Sequence, residues 1–153
     1  MAWTQPYTPN LTDYQSFLVS QGFTNTVLPP DSDEIQWSLN RALSVVMTSM
    51  QQSGQAPEYT IAVYNCAAHH LVMMAQDVAG LAFFSDLRAR RNALGFVPGV
   101  TGASGDQGTS TTLVVPEQFK GLRFADLEYI KTVWGINYLS YAQKYGPSVW
   151  VLV

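Results

Sequence analysis

The feature that most constrains the fold is an apolar stretch from Pro57 to Phe84, PEYTIAVYNCAAHHLVMMAQDVAGLAFF. If this stretch is a helix, the faces beside its most apolar face are hardly more polar. A helix that is apolar nearly all round is buried among other elements. The sequence therefore predicts a long central helix in a mainly α-helical bundle. The residues that recur in steps of three and four, the spacing of one helix face, are Ile61, Tyr64, Ala68, Leu71, Ala75, Val78 and Ala82.

A membrane span is the alternative for such a stretch. It requires about 18 or more consecutive apolar residues. Here the run is interrupted well before that length, so we expect a helix buried in protein and no membrane partner. The interrupting residues are Asn65, His69, His70, Gln76 and Asp77.

Composition indicates a surface that lies largely against other protein. Only 12% of the 153 residues are charged, against about 25% in ordinary soluble domains. The net charge is −3 with no basic stripe, so tight binding to phosphate backbones is not expected. The lone Cys66 excludes an intramolecular disulfide, and the N-terminus lacks the regions of a signal peptide. We expect one domain, 1–153, that folds in a cytoplasm.

Two helices are expected before the central one. The first spans residues 12–21, with Thr12 as its cap. The second spans residues 31–50 and starts from Asp31, with Glu34 as the capping-box partner. The inner stripe of the second helix consists of Ile35, Leu39, Ala42, Val46 and Met50.

Two helical patterns follow the central stretch. One covers residues 81–93, with Leu87 and Leu94 facing inward and Gly80 either kinking the helix or allowing close packing. The other covers residues 124–145 and ends at a Gly-Pro pair. The apolar stripe of this last helix consists of Leu127, Ile130, Trp134, Tyr138, Tyr141 and Tyr145.

Three stretches lack a helical pattern. Residues 1–11 are expected to form an N-terminal arm. Residues 95–115, rich in Gly, Ser and Thr, are expected to form a long projecting loop or hairpin, with a strand at 111–115 and an order that depends on a neighbour. Residues 146–153 form an apolar, extended C-terminal tail. The expected contact residues are Gly99, Thr101, Ser104, Asp106, Thr109, Thr111, Trp150, Val151, Leu152 and Val153.

The best candidate for chemistry is the pair Cys66 and His70, four residues apart on one helix face. A thiol beside an imidazole can begin a nucleophile or a metal site. His69 points about 100° away, and no HExxH, CxxC or acid-rich motif supplies further ligands. We therefore expect both residues to be structural, and predict no catalytic residue, metal or cofactor.

Four motifs, in this order, carry a resemblance. They are the helix with its inner Ala42, the small-residue core AVYNCAAHHLV (62–72), the stretch GVTGASGDQGTSTTLVV (99–115) and TVWGINYLSYAQKY (132–145). The chain resembles the head–tail connector (adaptor or head-completion) proteins of tailed bacteriophages over nearly its whole length. Ile136 departs from the pattern, since a basic residue is expected after Gly135.

The resemblance implies a virion protein and no enzyme. It implies a subunit that forms a ring, dodecameric like the portal, between the portal protein and the tail or a second neck protein. Genomic DNA would pass through the lumen without sequence-specific binding. The location would be the neck of the virion, after assembly in the host cytoplasm. Two other classes stay open: a small cytoplasmic enzyme using Cys66 and His70, and a monomeric binding module.

Overall fold

The computed structural model describes residues 8–48, 56–90, 100–103, 112–114 and 126–145. These residues confirm a mainly α-helical fold, with one small antiparallel pair of strands. In chain order the described elements are α1 (Leu11–Ser20), α2 (Asp33–Val45), α3 (Ala56–Met74), α4 (Phe83–Arg90), β1 (Val100–Ala103), β2 (Thr112–Val114), α5 (Asp126–Tyr129) and α6 (Val133–Tyr145).

Helix α3 is the centre of the fold, as its sequence predicts. Every residue from Ala62 to Val72 is buried, so α3 has no solvent-exposed face over that length. The two most extensive helix packings are those of α2 and of α6, and both are made with α3. The small side chains on α3 let these neighbours approach closely, and α1 and α4 cover more of its surface.

The expected continuous helix over 57–84 is wrong in its last third. Helix α3 ends at Met74, residues 75–82 form a corner with Gly80 at φ +85°, and α4 restarts at Phe83. The bend places the Phe84 ring in the core, 6.1 Å from the Phe23 ring, where only 1% of Phe84 is exposed. A straight helix would carry these apolar rings beyond the bundle, so core burial overrides the helical pattern.

Two side chains hold this corner by satisfying the backbone groups at both helix ends. The Asp77 carboxylate accepts from the Phe84 and Ser85 N–H groups at 2.6 and 3.2 Å, which caps the start of α4. Arg88, in the last turn of α4, donates to the carbonyl oxygens of Val72 and Ala75 at 2.9 and 2.8 Å. Arg88 of α4 therefore satisfies carbonyl groups at the end of α3, and Asp77, in the corner that follows α3, caps the start of α4.

We expect Arg88→Met to lower the free energy of unfolding by about 1–2 kcal/mol, because it removes two charge-assisted hydrogen bonds at a half-buried position. Arg90→Met is the matched control, since Arg90 is in the same helical turn but exposed. Its effect should stay within about 0.5 kcal/mol. Urea unfolding of the two variants checks this, and equal effects would show that Arg88 acts only through general charge.

The first two helices start one or two residues away from the expected caps. Asn10, not Thr12, caps α1, and its side chain accepts from the Asp13 N–H at 2.9 Å. Ser32, not Asp31, precedes α2, and its hydroxyl donates to the Glu34 carboxylate at 2.6 Å. Both corrections are shifts within a run of good capping residues, which sequence alone does not resolve.

Gly22 terminates α1 as expected, whereas α2 ends earlier than expected. Phe23 N–H bonds to Leu18 O and Gly22 N–H to Val19 O, both within 3.1 Å, so α1 ends in a Schellman motif with Gly22 at φ +94°. Helix α2 stops at Val45 rather than near Met50, because Val46 takes an extended conformation. The inner stripe of α2 is buried as expected up to Val46.

The expected last helix, 124–145, is two helices. Helix α5 ends at Tyr129, and α6 begins at Val133 after a turn that includes Thr132. Of the expected stripe, Tyr138 is buried, and Ile130, Trp134, Tyr141 and Tyr145 are half-buried against the core. Leu127 is half-buried as well. The turn allows Thr132 to bond to α3, which one straight helix would not permit.

Strands β1 and β2 pair antiparallel, with Val100 opposite Val114 and Thr101 opposite Leu113. The register shifts between Thr101 and Ala103, which leaves Gly102 as an extra residue in β1. The strand expected at 111–115 is therefore present as β2, and β1 also falls in the expected loop 95–115. The other residues of that loop and the tail 146–153 lie outside the described residues. Of the expected arm 1–11, Leu11 belongs to α1 and Asn10 caps it, whereas residues 1–7 lie outside the described part. No helix in the described part is long and apolar enough to cross a membrane.

Candidate functional site: the buried histidine pair on α3

Cys66, His69 and His70 lie within about one helical turn of each other in the middle of α3. The exposed fractions are 0% for Cys66 and His69 and 5% for His70. The His69 and His70 rings lie 5.3 Å apart between centroids. The only chemistry-bearing residues suggested by the sequence are therefore inside the core rather than at a surface cleft.

His69 is tied to the start of α6. Its Nδ1 lies 2.8 Å from the Thr132 hydroxyl, which also accepts the Gly135 N–H at 2.9 Å. Thr132 thus caps α6 and joins it to α3 through one oxygen atom. The other ring nitrogen of His69, Nε2, is buried with no hydrogen-bond partner in the described part of the chain.

Gly135 is the point of closest approach between these elements. A Cβ atom built there would lie 2.0 Å from the Tyr129 carbonyl oxygen and 2.9 Å from His69 Nδ1. Any side chain at this position would separate α6 from both α5 and α3. The glycine is therefore required by the contact, and its backbone is not at positive φ.

Tyr129 completes the cluster from α5. Its ring centroid lies 4.7 Å from that of His69 and 4.8 Å from that of Tyr138 on α6. Its hydroxyl is 3.4 Å from His70 Nε2, at the long end of a hydrogen bond. An aromatic side chain therefore fills the space beside both imidazoles.

Burial keeps every titratable group of this cluster neutral. It lowers the pKa of His69 to about 3, assisted by the positive potential of His70, Arg41 and Lys131. It lowers the pKa of His70 to about 4, again with Arg41 contributing.

The cysteine and tyrosine groups are shifted in the opposite direction. Burial raises the pKa of the Cys66 thiol to about 12, and it raises the pKa of the Tyr129 hydroxyl as well. The thiol pKa near 12 lies far above the imidazole pKa values near 3 and 4, so transfer of the thiol proton to either ring is strongly unfavourable. Reactive cysteines need a lowered pKa and access, and Cys66 has neither.

Metal binding by the same residues has no structural support. The described residues contain no group of three or more His, Cys, Asp or Glu side chains placed to hold an ion. Zinc in structural sites almost always takes four ligands, so a Cys-His pair by itself is insufficient. The arrangement is that of a packed core in which the histidines fill space and bond to Thr132 and, at longer distance, to Tyr129.

We expect Cys66 to be inert toward thiol reagents in the folded protein. A completely buried, protonated thiol reacts only when the chain opens, so labelling should be slow and should become immediate in denaturant. Mass spectrometry of alkylated samples with and without urea measures this. Rapid stoichiometric labelling of the native protein, or stoichiometric zinc lost together with the fold in Cys66→Ser, would contradict the structural role.

Most of the contact residues predicted from sequence lie outside the described part of the chain. Thr101 is the exception: its backbone is in β1, opposite Leu113 in β2. The other nine fall outside the described residues, and the contact role of all ten stays a prediction.

Three residues of the histidine cluster were not identified from sequence: Tyr129, Thr132 and Gly135. Thr132 carries a detectable signal, since a threonine before an apolar helical run is a candidate N-cap. Gly135 gives none, because a helical glycine does not reveal which backbone lies against it. Their partners on α3 are about sixty residues earlier in the chain.

No family of known proteins, no curated protein and no solved structure matches the chain significantly.

Proposed function

We propose that the chain is a structural subunit of the head–tail connector of a tailed bacteriophage. In this role it forms a ring between the portal protein and the tail or a second neck protein, and DNA passes through the lumen. The proposal requires no reaction and no cofactor. Its starting point is the ordered set of motifs that resembles connector proteins.

The observation that carries the proposal is an apolar, charge-poor surface on a helical subunit. Large apolar side chains are exposed on α1, on α2, just after α2 and on α6: Val19 is 55% exposed, Trp37 57%, Met47 53% and Ile136 49%. Only 12% of the chain is charged. Exposed apolar groups on a surface with few charges favour repeated contacts with other protein subunits.

The positions of the motifs within the fold give further support. The small-residue motif is the buried part of α3, and the Gly135 motif is the site where α6 approaches α5 and α3 most closely. The strand pair β1–β2 occurs in the stretch that resembles the connecting segment of connector proteins. Ile136, where a basic residue is expected, adds apolar surface to α6.

The alternative of an enzyme using Cys66 and His70 is disfavoured by their surroundings. Both side chains are buried, and the thiol pKa is raised rather than lowered. If the chain is a monomeric binding module, its mass in solution should stay near 16.9 kDa at every concentration. A ring would instead have a multiple of this mass.

The proposal is tested by light scattering and electron microscopy of the purified protein, followed by cryo-electron microscopy of the parent particle. We expect annular assemblies and density for this chain at the head–tail junction. Deleting residues 148–153 should leave the fold intact, while particles stall as heads without tails. A strictly monomeric protein that is absent from virions would refute the proposal, and normal virions built from the truncated chain would remove the tail from the docking elements.

A further inference from the structure

A half-open cavity lies between α2 and the corner that follows α3. Its volume is about 220 Å³, several times the share of liquid volume that one water occupies, about 30 Å³. Apolar side chains form much of its wall, including Val27, Leu28 and Val78. Val78 is 37% exposed, so it is accessible from the mouth of the cavity.

The charged residues of this wall are acidic. Glu34 and Asp77 line the cavity beside the neutral Ser32 and Gln76, and the described residues that line it include no base. Asp77 keeps its charge because hydrogen bonds from Ser85 and from the start of α4, together with the charge of Arg88 outside the wall, lower its pKa. Asp31 and Asp33 are exposed at the start of α2. The cavity therefore suits an apolar group that is accompanied by a positive charge.

Two residues on α2, one apolar and one basic, have these properties. Trp37 on α2 is 57% exposed and is not part of the cavity wall, so its own chain does not bury it there. Arg41 follows one helical turn later, is exposed, and has no ion-pair partner in the described part of the chain. Residues four apart lie on the same helix face, so indole and guanidinium project together.

We propose that Trp37 of one copy of this chain inserts into the cavity beside Val78 of a second copy, with Arg41 facing the acidic rim formed by Glu34 and Asp77. The occupant is a second copy because one surface carries both the apolar-plus-basic projection and the apolar-plus-acidic cavity. Tryptophan and arginine are the residues most enriched in the energetic centres of interfaces. The contact serves as such a centre within a larger interface.

This inference deepens the proposed function, since it supplies a contact between subunits of the ring. In a ring, each copy gives its indole to one neighbour and receives one from the other. In a two-fold dimer, the same contact is made twice between two copies. The mass of the assembly in solution distinguishes a ring from a dimer. A dimer that is lost when Trp37 is replaced would support the proposed contact and contradict the proposed ring.

The test uses two single variants and their mixture. Trp37→Ala removes the projection and Val78→Lys obstructs the cavity with a charge, so each variant alone should associate at least about thirty-fold more weakly than the wild type. Mixing the two should restore one contact per mixed pair, because the intact Trp37 of one variant meets the intact cavity of the other. The mixture should therefore form heterodimers, although no ring can close from them. Sedimentation velocity of each sample measures this.

Matched controls separate the contact from general effects of added charge. Leu43→Lys lies on the same helix as Trp37, and Gln143→Lys is exposed in the last turn of α6, outside the cavity wall. Both should associate like the wild type, and circular dichroism should show that all four variants fold. A wild type that stays monomeric, a mixture that does not recover, or controls that lose association equally would overturn the proposal.

Discussion

Gly135→Ala should lower the free energy of unfolding by about 3 kcal/mol, which is the upper end of the usual cost of overpacking a core. The new Cβ would lie 2.0 Å from the Tyr129 carbonyl oxygen and 2.7 Å from its carbonyl carbon. These are backbone atoms at the end of α5, so the contact cannot be relieved by rotating a side chain. Relief requires α6 to move away from α3, which breaks the His69–Thr132 hydrogen bond.

Thermal and urea unfolding measure this change. For a chain of this size, 3 kcal/mol corresponds to a fall in Tm of roughly 6–12 °C. Ser140→Ala is the control, since Ser140 is exposed on the same helix and its hydroxyl bonds only to the Asn137 carbonyl within that helix. A shift below about 1 kcal/mol for Gly135→Ala would show that α6 tolerates a side chain there.

Acid should destabilise the protein well before its carboxylates are protonated. The pKa of His69 is lowered from 6.5 to about 3, and that of His70 from 6.5 to about 4. Between pH 6.5 and 4 the unfolded chain therefore binds more protons than the folded one, and stability falls as the pH falls. A difference of one between the folded and unfolded pKa corresponds to about 1.4 kcal/mol, so we expect a loss of stability of about 3 kcal/mol or more from pH 7 to pH 4.5.

The double variant His69→Asn, His70→Gln isolates the effect of the histidines. Asparagine can keep the bond to Thr132 and glutamine can reach the Tyr129 hydroxyl, but neither side chain titrates. Its unfolding free energy should change much less over the same pH range. Asp77, whose pKa is lowered, keeps its charge in this range. Parallel pH profiles for the variant and the wild type would show that the histidines are not the cause.

Local periodicity predicted the parts of the fold that depend on one buried face. It identified α2, the core of α3 and α6, because an apolar stripe requires only that some partner covers it. The same stripe could not show that α3 ends at Met74. That end depends on Arg88 reaching back to Val72 and on Asp77 capping α4, and neither contact has a periodic signal.

The candidate site was predicted in outline for the same reason. Cys66 and His70 on an apolar helix face indicated buried structural residues, which their burial on α3 supports. The partners of the histidines come from α5 and α6, which the sequence predicts as one helix. Thr132 and Gly135 acquire their roles only when that helix breaks and packs across α3.

The central position of α3 has a consequence for the order of folding. Helices α2 and α3 are consecutive, so their packing closes a short loop, whereas the His69–Thr132 bond joins residues 63 positions apart. Closing the longer loop costs more chain entropy and slows the step. We therefore expect the α2–α3 pair to form first during synthesis. The apolar side of α3 that α6 covers then stays exposed until α6 has left the ribosome. We expect chaperones to bind the nascent chain at that exposed surface.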